Sequence, residues 1–112
     1  MVSNHKKDFI RAWHGHKKEA KFVICLSGSA WIRYVKIDDW ANPSKNLNVE
    51  QVFLSAKKPS IFYIPGGYIN GFMSLTDDMK LMFLSTSTLE ESLSDDFRFA
   101  FDYWDNWLVR PR

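Results

Sequence analysis

The chain is punctuated about every ten residues, and this rhythm limits its fold more than any other feature. Short apolar runs, KFVICL (21–26), AWIRYVKI (30–37), VEQVFLSA (49–56), SIFYI (60–64), YINGFMSL (68–75) and KLMFLSTS (80–87), are separated by SGS, NPS, KKP, PGG and TDD. Each run is too short for a packed helix but right for a strand, and the separators are turn formers. Six or seven short strands at this spacing predict an all-β sandwich or closed barrel. TLEESLSDD (88–96) is the one candidate for a helical turn.

Local pattern adds detail. SGS at 27–29 predicts a hairpin between the runs on either side. In the second run, alternation places Trp31, Arg33, Val35 and Ile37 on one face and Ala30, Ile32, Tyr34 and Lys36 on the other. DDWANPSKN (38–46) reads as a polar loop. Pro65-Gly66-Gly67 cannot lie inside a regular central strand, so two strands should meet at a tight corner there. The tail FRFAFDYWDNWLV alternates again, with Phe97, Phe99, Phe101 and Tyr103 on one side.

Composition narrows the function classes. Of 112 residues, 46% are hydrophobic, enough for a core and too many for disorder, so one domain over residues 1–112 is expected. The aromatic tail, 97–112, should pack on the barrel or on a partner subunit. A formal charge of +2 gives no basic stripe for nucleic acid. One cysteine, Cys25, precludes an internal disulfide and reads as a buried thiol. Neither a signal peptide nor an apolar stretch long enough for a bilayer is evident, which points to a cytoplasmic protein without a membrane partner. His5, among polar residues, reads as solvated.

Two constellations carry chemistry. In RAWHGHKKEAK, His14 and His16 are two residues apart and project to one face of a strand, with Gly15 leaving room between them. His-x-His-x4 followed by a third group, and Pro-x-Gly-x2 followed by a fourth, is the spacing of metal-binding β-barrels. Here those last two positions hold Lys21 and Asn70. A protonated lysine offers no lone pair and repels a divalent ion. Glu19 lies two positions early for the third ligand. We therefore expect no metal and no other cofactor, with the ammonium of Lys21 acting where a metal would. Tyr68 lies in the second constellation, and Asn70 could equally cap its Gly-Gly turn.

Together these segments resemble the cupin superfamily, double-stranded β-helix (jelly-roll-like) barrels. Within it they are similar to the RmlC-like branch: dTDP-4-dehydrorhamnose 3,5-epimerases and the WxcM-like dTDP-sugar 3,4-ketoisomerases. The epimerases show Arg-Gly-x-His, a Lys-Leu-Val strand and Ile-Pro-x-Gly-Phe-x-His-Gly-Phe. Here those read Arg11-Ala12-Trp13-His14, Lys21-Phe22-Val23 and Ile64-Pro65-Gly66-Gly67-Tyr68-Ile69-Asn70-Gly71-Phe72. The ketoisomerases' Arg-x-x-His-Ala-His-Lys is closer still to Arg11–Lys17.

The resemblance implies a metal-independent isomerase or epimerase acting on a nucleotide-linked, dTDP-linked, 4-keto-6-deoxy sugar in surface polysaccharide synthesis. His14 matches the catalytic base and His16 the second histidine of the ketoisomerases. Arg11, Lys21, Tyr68 and Asn70 are expected to bind substrate. The chemistry suits these residue types: a base near neutral pKa removes a proton next to a ketone while a cation stabilises the enolate. A non-catalytic sugar-nucleotide binder and a metal-dependent cupin oxygenase are the alternatives.

Three departures from the family pattern stand out. Its tyrosine general acid has no counterpart in STSTLEES. The aspartate that orients its base histidine comes from a region beyond this chain's length, leaving Asp102 as the nearest carboxylate. Arg11 has the opposite parity to His14 and can share its face only through a bulge. An open sheet edge and the aromatic tail predict a homodimer.

Overall fold

The computed structural model describes residues 2–86, 95–104 and 107. Among the described residues nine strands form in chain order: β1 Val2–His5, β2 Ile10–His16, β3 Lys21–Ser27, β4 Ser29–Lys36, β5 Glu50–Ser55, β6 Ile61–Ile64, β7 Tyr68–Ser74, β8 Met79–Ser85 and β9 Phe97–Arg98. They make two antiparallel sheets, ordered β1-β8-β3-β6 and β5-β4-β7-β2-β9. The expected all-β cupin architecture is what the chain adopts. The candidate helical turn falls almost wholly on residues 88–94, outside the described part.

The inner core fills the space between the sheets. Val23 and Cys25 of β3, Ala30 and Ile32 of β4, Leu54, Ile64, Phe72, Met79 and Leu81 are all buried there. Cys25 is a free, buried thiol whose pKa burial pushes up, so it packs as a small hydrophobe.

The hairpin expected around SGS does not form. β3 pairs with β6 and β8, whereas β4 pairs with β5 and β7, so the chain at Gly28 crosses from one sheet to the other. The inner faces of both strands then meet across the core instead of side by side. The Pro65-Gly66-Gly67 corner does the same between β6 and β7, with Gly67 at φ 92°, where a side chain would be strained.

The alternation of β4 is realised, and both its faces are buried. Ala30 and Ile32 enter the inner core; Trp31, Val35 and Ile37 enter a second cluster on the outer face of the five-stranded sheet. Trp13, Ile69, Met73 and Trp107 complete that cluster. Phe97, Phe99, Tyr103 and Trp104 pack against it, but among the described residues of the C-terminal segment only Phe97–Arg98 is a strand; the alternation read across Phe97–Tyr103 gives way to turns, and Phe101 is exposed. Trp107 is 1% exposed, its ring 5.1 Å from Trp13 and 5.4 Å from Trp31. Its indole N–H donates to the Phe101 carbonyl at 2.9 Å, and the Arg33 guanidinium lies over both Trp31 and Trp107. Gly71 permits this packing: a Cβ there would stand 2.3 Å from the Ala12 Cβ and 2.9 Å from the Trp107 ring.

β1 was not legible as a strand, and His5 is not simply solvated. Its ring stacks on Phe9 at 4.5 Å and leans on Phe72 at 5.0 Å. Burial, then the charge of Arg11, lowers its pKa.

Candidate active site

The five-stranded sheet builds the site in rows. A register shift between Arg11 and His14 lets Arg11 pair with Phe72, His14 with Asn70 and His16 with Tyr68. On the far side of β7, Phe72 pairs with Ile32, Asn70 with Tyr34 and Tyr68 with Lys36. Residues directly opposite one another share a face. The bulge therefore brings Arg11, His14 and His16 to the inner face despite their spacing. Gly15 serves a different neighbour from the one expected: its Cβ would stand 2.3 Å from the Tyr68 carbonyl oxygen, so it allows β2 and β7 to approach.

Lys21 enters from the other sheet, between Ile64 and Ser85 in register, and its ammonium lies 5.9 Å from the Phe83 ring. It is buried, as are His16, Glu19 and Asn70. Burial lowers the Lys21 pKa; Glu19 and Asp96 act against it. The His14 and His16 rings are 5.0 Å apart. Burial, then the charge of Lys21, lowers the His14 pKa, with Asp96 opposing. His14 is thus biased toward its neutral form.

Sequence reasoning missed the carboxylates that fix these histidines. His14 Nε2 donates to Asp96 Oδ1 at 2.5 Å. Asp102, the carboxylate expected to be nearest, is exposed in the turn after β9, and it is Asp96 that pairs with His14. His16 Nδ1 donates to the Asp95 carbonyl. The Asp95 side chain accepts the backbone N–H groups of Lys17 at 2.9 Å, Lys18 at 2.8 Å and Glu19 at 3.2 Å. Burial alone would raise the pKa of Asp95; these donors outweigh it and hold it low. For Asp96, likewise, His14 and Arg98 overcome burial. The only sequence signal for Asp95 and Asp96 was their place just before an apolar alternation that could pair with β2.

Glu19, set aside as two positions early for a ligand, lies in the loop after β2, where strand spacing does not apply. Its Oε2 is 3.4 Å from His16 Nε2, and its Oε1 is buried without a hydrogen-bond partner among the described residues. Asn70 Oδ1 is in the same condition. Arg11 is exposed one row from His14, toward His5, and the structure does not draw it into the His14–His16–Lys21 group. Tyr68 lies opposite His16, 6.0 Å from the Tyr34 ring.

His14, His16 and Asp96 offer ligand atoms within 4.8 Å of one another, a donor set that could take a divalent ion. The nearby Lys21 ammonium opposes that use.

A sequence model described as dTDP-4-dehydrorhamnose 3,5-epimerase matches residues 1–102. The chain belongs to that family. Comparison with curated protein sequences gives no significant match. Among solved structures, the dTDP-4-dehydrorhamnose 3,5-epimerase of Elizabethkingia anophelis NUHP1 aligns with a TM-score of 0.76 and 21% identity, over 98% of this chain and 62% of that one. ChmJ, a 3'-monoepimerase from Streptomyces bikiniensis in complex with dTDP-quinovose, gives 0.73 and 22%, over 88% and 49%. The capsular polysaccharide assembling protein CapF of Staphylococcus aureus gives 0.70 and 19%, over 87% and 26%. The chain therefore spans less than two thirds of each of these relatives, and at these identities the likeness establishes a common fold.

Proposed function

We propose that the chain is a metal-independent isomerase of a dTDP-linked 4-keto-6-deoxy sugar, serving surface polysaccharide synthesis. The observation that carries this reading is His14 held between Asp96 and the charge of Lys21. Because Nε2–H is given to Asp96, the lone pair resides on Nδ1, and that atom takes the proton next to the ketone. The negative charge that develops on the sugar oxygen is met by the buried ammonium of Lys21. His16 and Asn70 line the same inner face, with Tyr68 and Arg11 one row to either side, suited to sugar and nucleotide contacts.

The test is solvent exchange. Incubated with a dTDP-4-keto-6-deoxyhexose in heavy water, the protein should introduce deuterium at the carbon next to the ketone, before and after chelation. Tight nucleotide binding without exchange would instead identify a binding module. The triad of His14, His16 and Asp96 favours, as a second reading, a metal-dependent cupin. Activity that is abolished by chelation and restored by one divalent metal would select it.

A homodimer belongs to the same reading, on a different basis from the tail, whose tryptophans are spent on its own sheet. The outer face of the four-stranded sheet exposes Phe22, Leu26, Ile61, Tyr63 and Leu84, with Phe22 and Tyr63 in ring contact at 5.0 Å. A second copy would cover this apolar face. Among the described residues no helix is long and apolar enough to cross a membrane. A cytoplasmic location belongs to the same reading.

A further inference from the structure

We infer that Tyr34 is the general acid that faces His14 across the bound sugar, so that the product is an epimer. This rests on the isomerase reading above. Inversion at a carbon next to a ketone needs two groups, one removing the proton and another supplying one to the opposite face. The chain has four tyrosines to supply a phenol. Tyr63 is on the outer face of its sheet, half-exposed. Tyr103 gives its hydroxyl to the Pro43 carbonyl at 2.7 Å. Only Tyr34 and Tyr68 face inward.

Register separates those two. Tyr68 is opposite His16, whereas Tyr34 shares a row with His14, and Asn70 lies between them. Two strand spacings put the Cα atoms of His14 and Tyr34 about 10 Å apart on one face. Their side chains then flank Asn70, whose buried Oδ1 has no hydrogen-bond partner among the described residues. Lys21, on the facing sheet, is close enough for its charge to act on His14. Tyr34 is half-buried, its ring braced by Phe62 at 5.1 Å and Tyr68 at 6.0 Å, and its hydroxyl makes no hydrogen bond among the described residues. Burial, and then Glu50 and Tyr68, raise its pKa, so the phenol keeps its proton at neutral pH.

The step balances without any redox partner. The C–H bond breaks, its proton goes to His14 Nδ1 and its electron pair enters the enolate. The Tyr34 hydroxyl proton then forms a C–H bond on the opposite face of that carbon and regenerates the ketone. The resulting phenolate and imidazolium return to their starting states by proton exchange with water.

The experiment compares deuterium entry with inversion. Wild type in heavy water should do both with a dTDP-4-keto-6-deoxyhexose. Tyr34→Phe should keep deuterium exchange with retained configuration while inverted product falls about 10²-fold or more. Tyr34→His, which restores a proton donor, should recover part of the inversion. Equal loss of exchange and inversion in Tyr34→Phe, or inversion at the wild-type rate, would overturn the assignment. So would a wild type that exchanges and forms only the ketoisomer. A wild type that shows no exchange at all defeats the isomerase reading itself.

Discussion

Replacing Asp96 by Asn tests the carboxylate that holds His14, because the amide keeps size and loses charge. As His14 takes a proton it becomes cationic, and Asp96 stabilises that state more than the neutral one. For unit charges about 4 Å apart at an effective permittivity of 20, the attraction is ~4 kcal/mol. The two side chains are 35% and 30% exposed. Solvent screening should roughly halve it to ~2 kcal/mol, or about 30-fold in kcat/KM. The pH profile supplies a second, independent readout. His14 is already below its ordinary 6.5, so the acid limb of kcat/KM should lie below 6.5 in wild type. Asp96 is the group pulling that pKa back up, so its neutralisation should move the limb to still lower pH. Stopped assays of kcat/KM from pH 4 to 9 on both proteins check this. A variant within about threefold of wild type, with its acid limb unmoved or shifted upward, would refute the pairing as the device that tunes the base.

Two further outcomes follow from burial. Lys21→Met should slow turnover by roughly 10²-fold through loss of the enolate's cation, yet raise the Tm at neutral pH, because a desolvated ammonium is removed. Since the folded-state pKa of Lys21 is depressed, its cost fades as pH rises through that pKa, so the Tm gap measured by calorimetry should narrow in alkali. Trp107→Ala should cost about 3–5 kcal/mol of stability in denaturant titration, since it empties the centre of the outer cluster. A loss below about 1 kcal/mol would mean that the tail contributes little to the fold.

What the sequence revealed was whatever depended on local period. The two faces of β4, the corner at Pro65-Gly66-Gly67 and the shared face of His14 and His16 are each set by residues a few positions apart. The need for a bulge at Arg11 could be deduced from parity alone. What depended on strand order stayed hidden. SGS has the same turn chemistry whether its strands pair or pass to opposite sheets, so β3 and β4 read as a hairpin. Asp96 lies 82 residues from His14 and reaches it only because β9 docks beside β2. The face of Tyr34 could be read from alternation, but not that β7 lies between it and His14. β1 carries too few apolar residues to announce itself.

The two-residue strand β9 and the aspartates before it have a consequence for the order of assembly. Both histidines are set in place by Asp95 and Asp96, residues some 80 positions further along. Contacts at such separation close late, after the entropy of a long loop has been overcome. The barrel's hydrophobic core can condense from β1 to β8 without them. Catalytic competence should therefore lag behind the fluorescence change of core formation during refolding, and the interval between the two would time the docking of that short clasp.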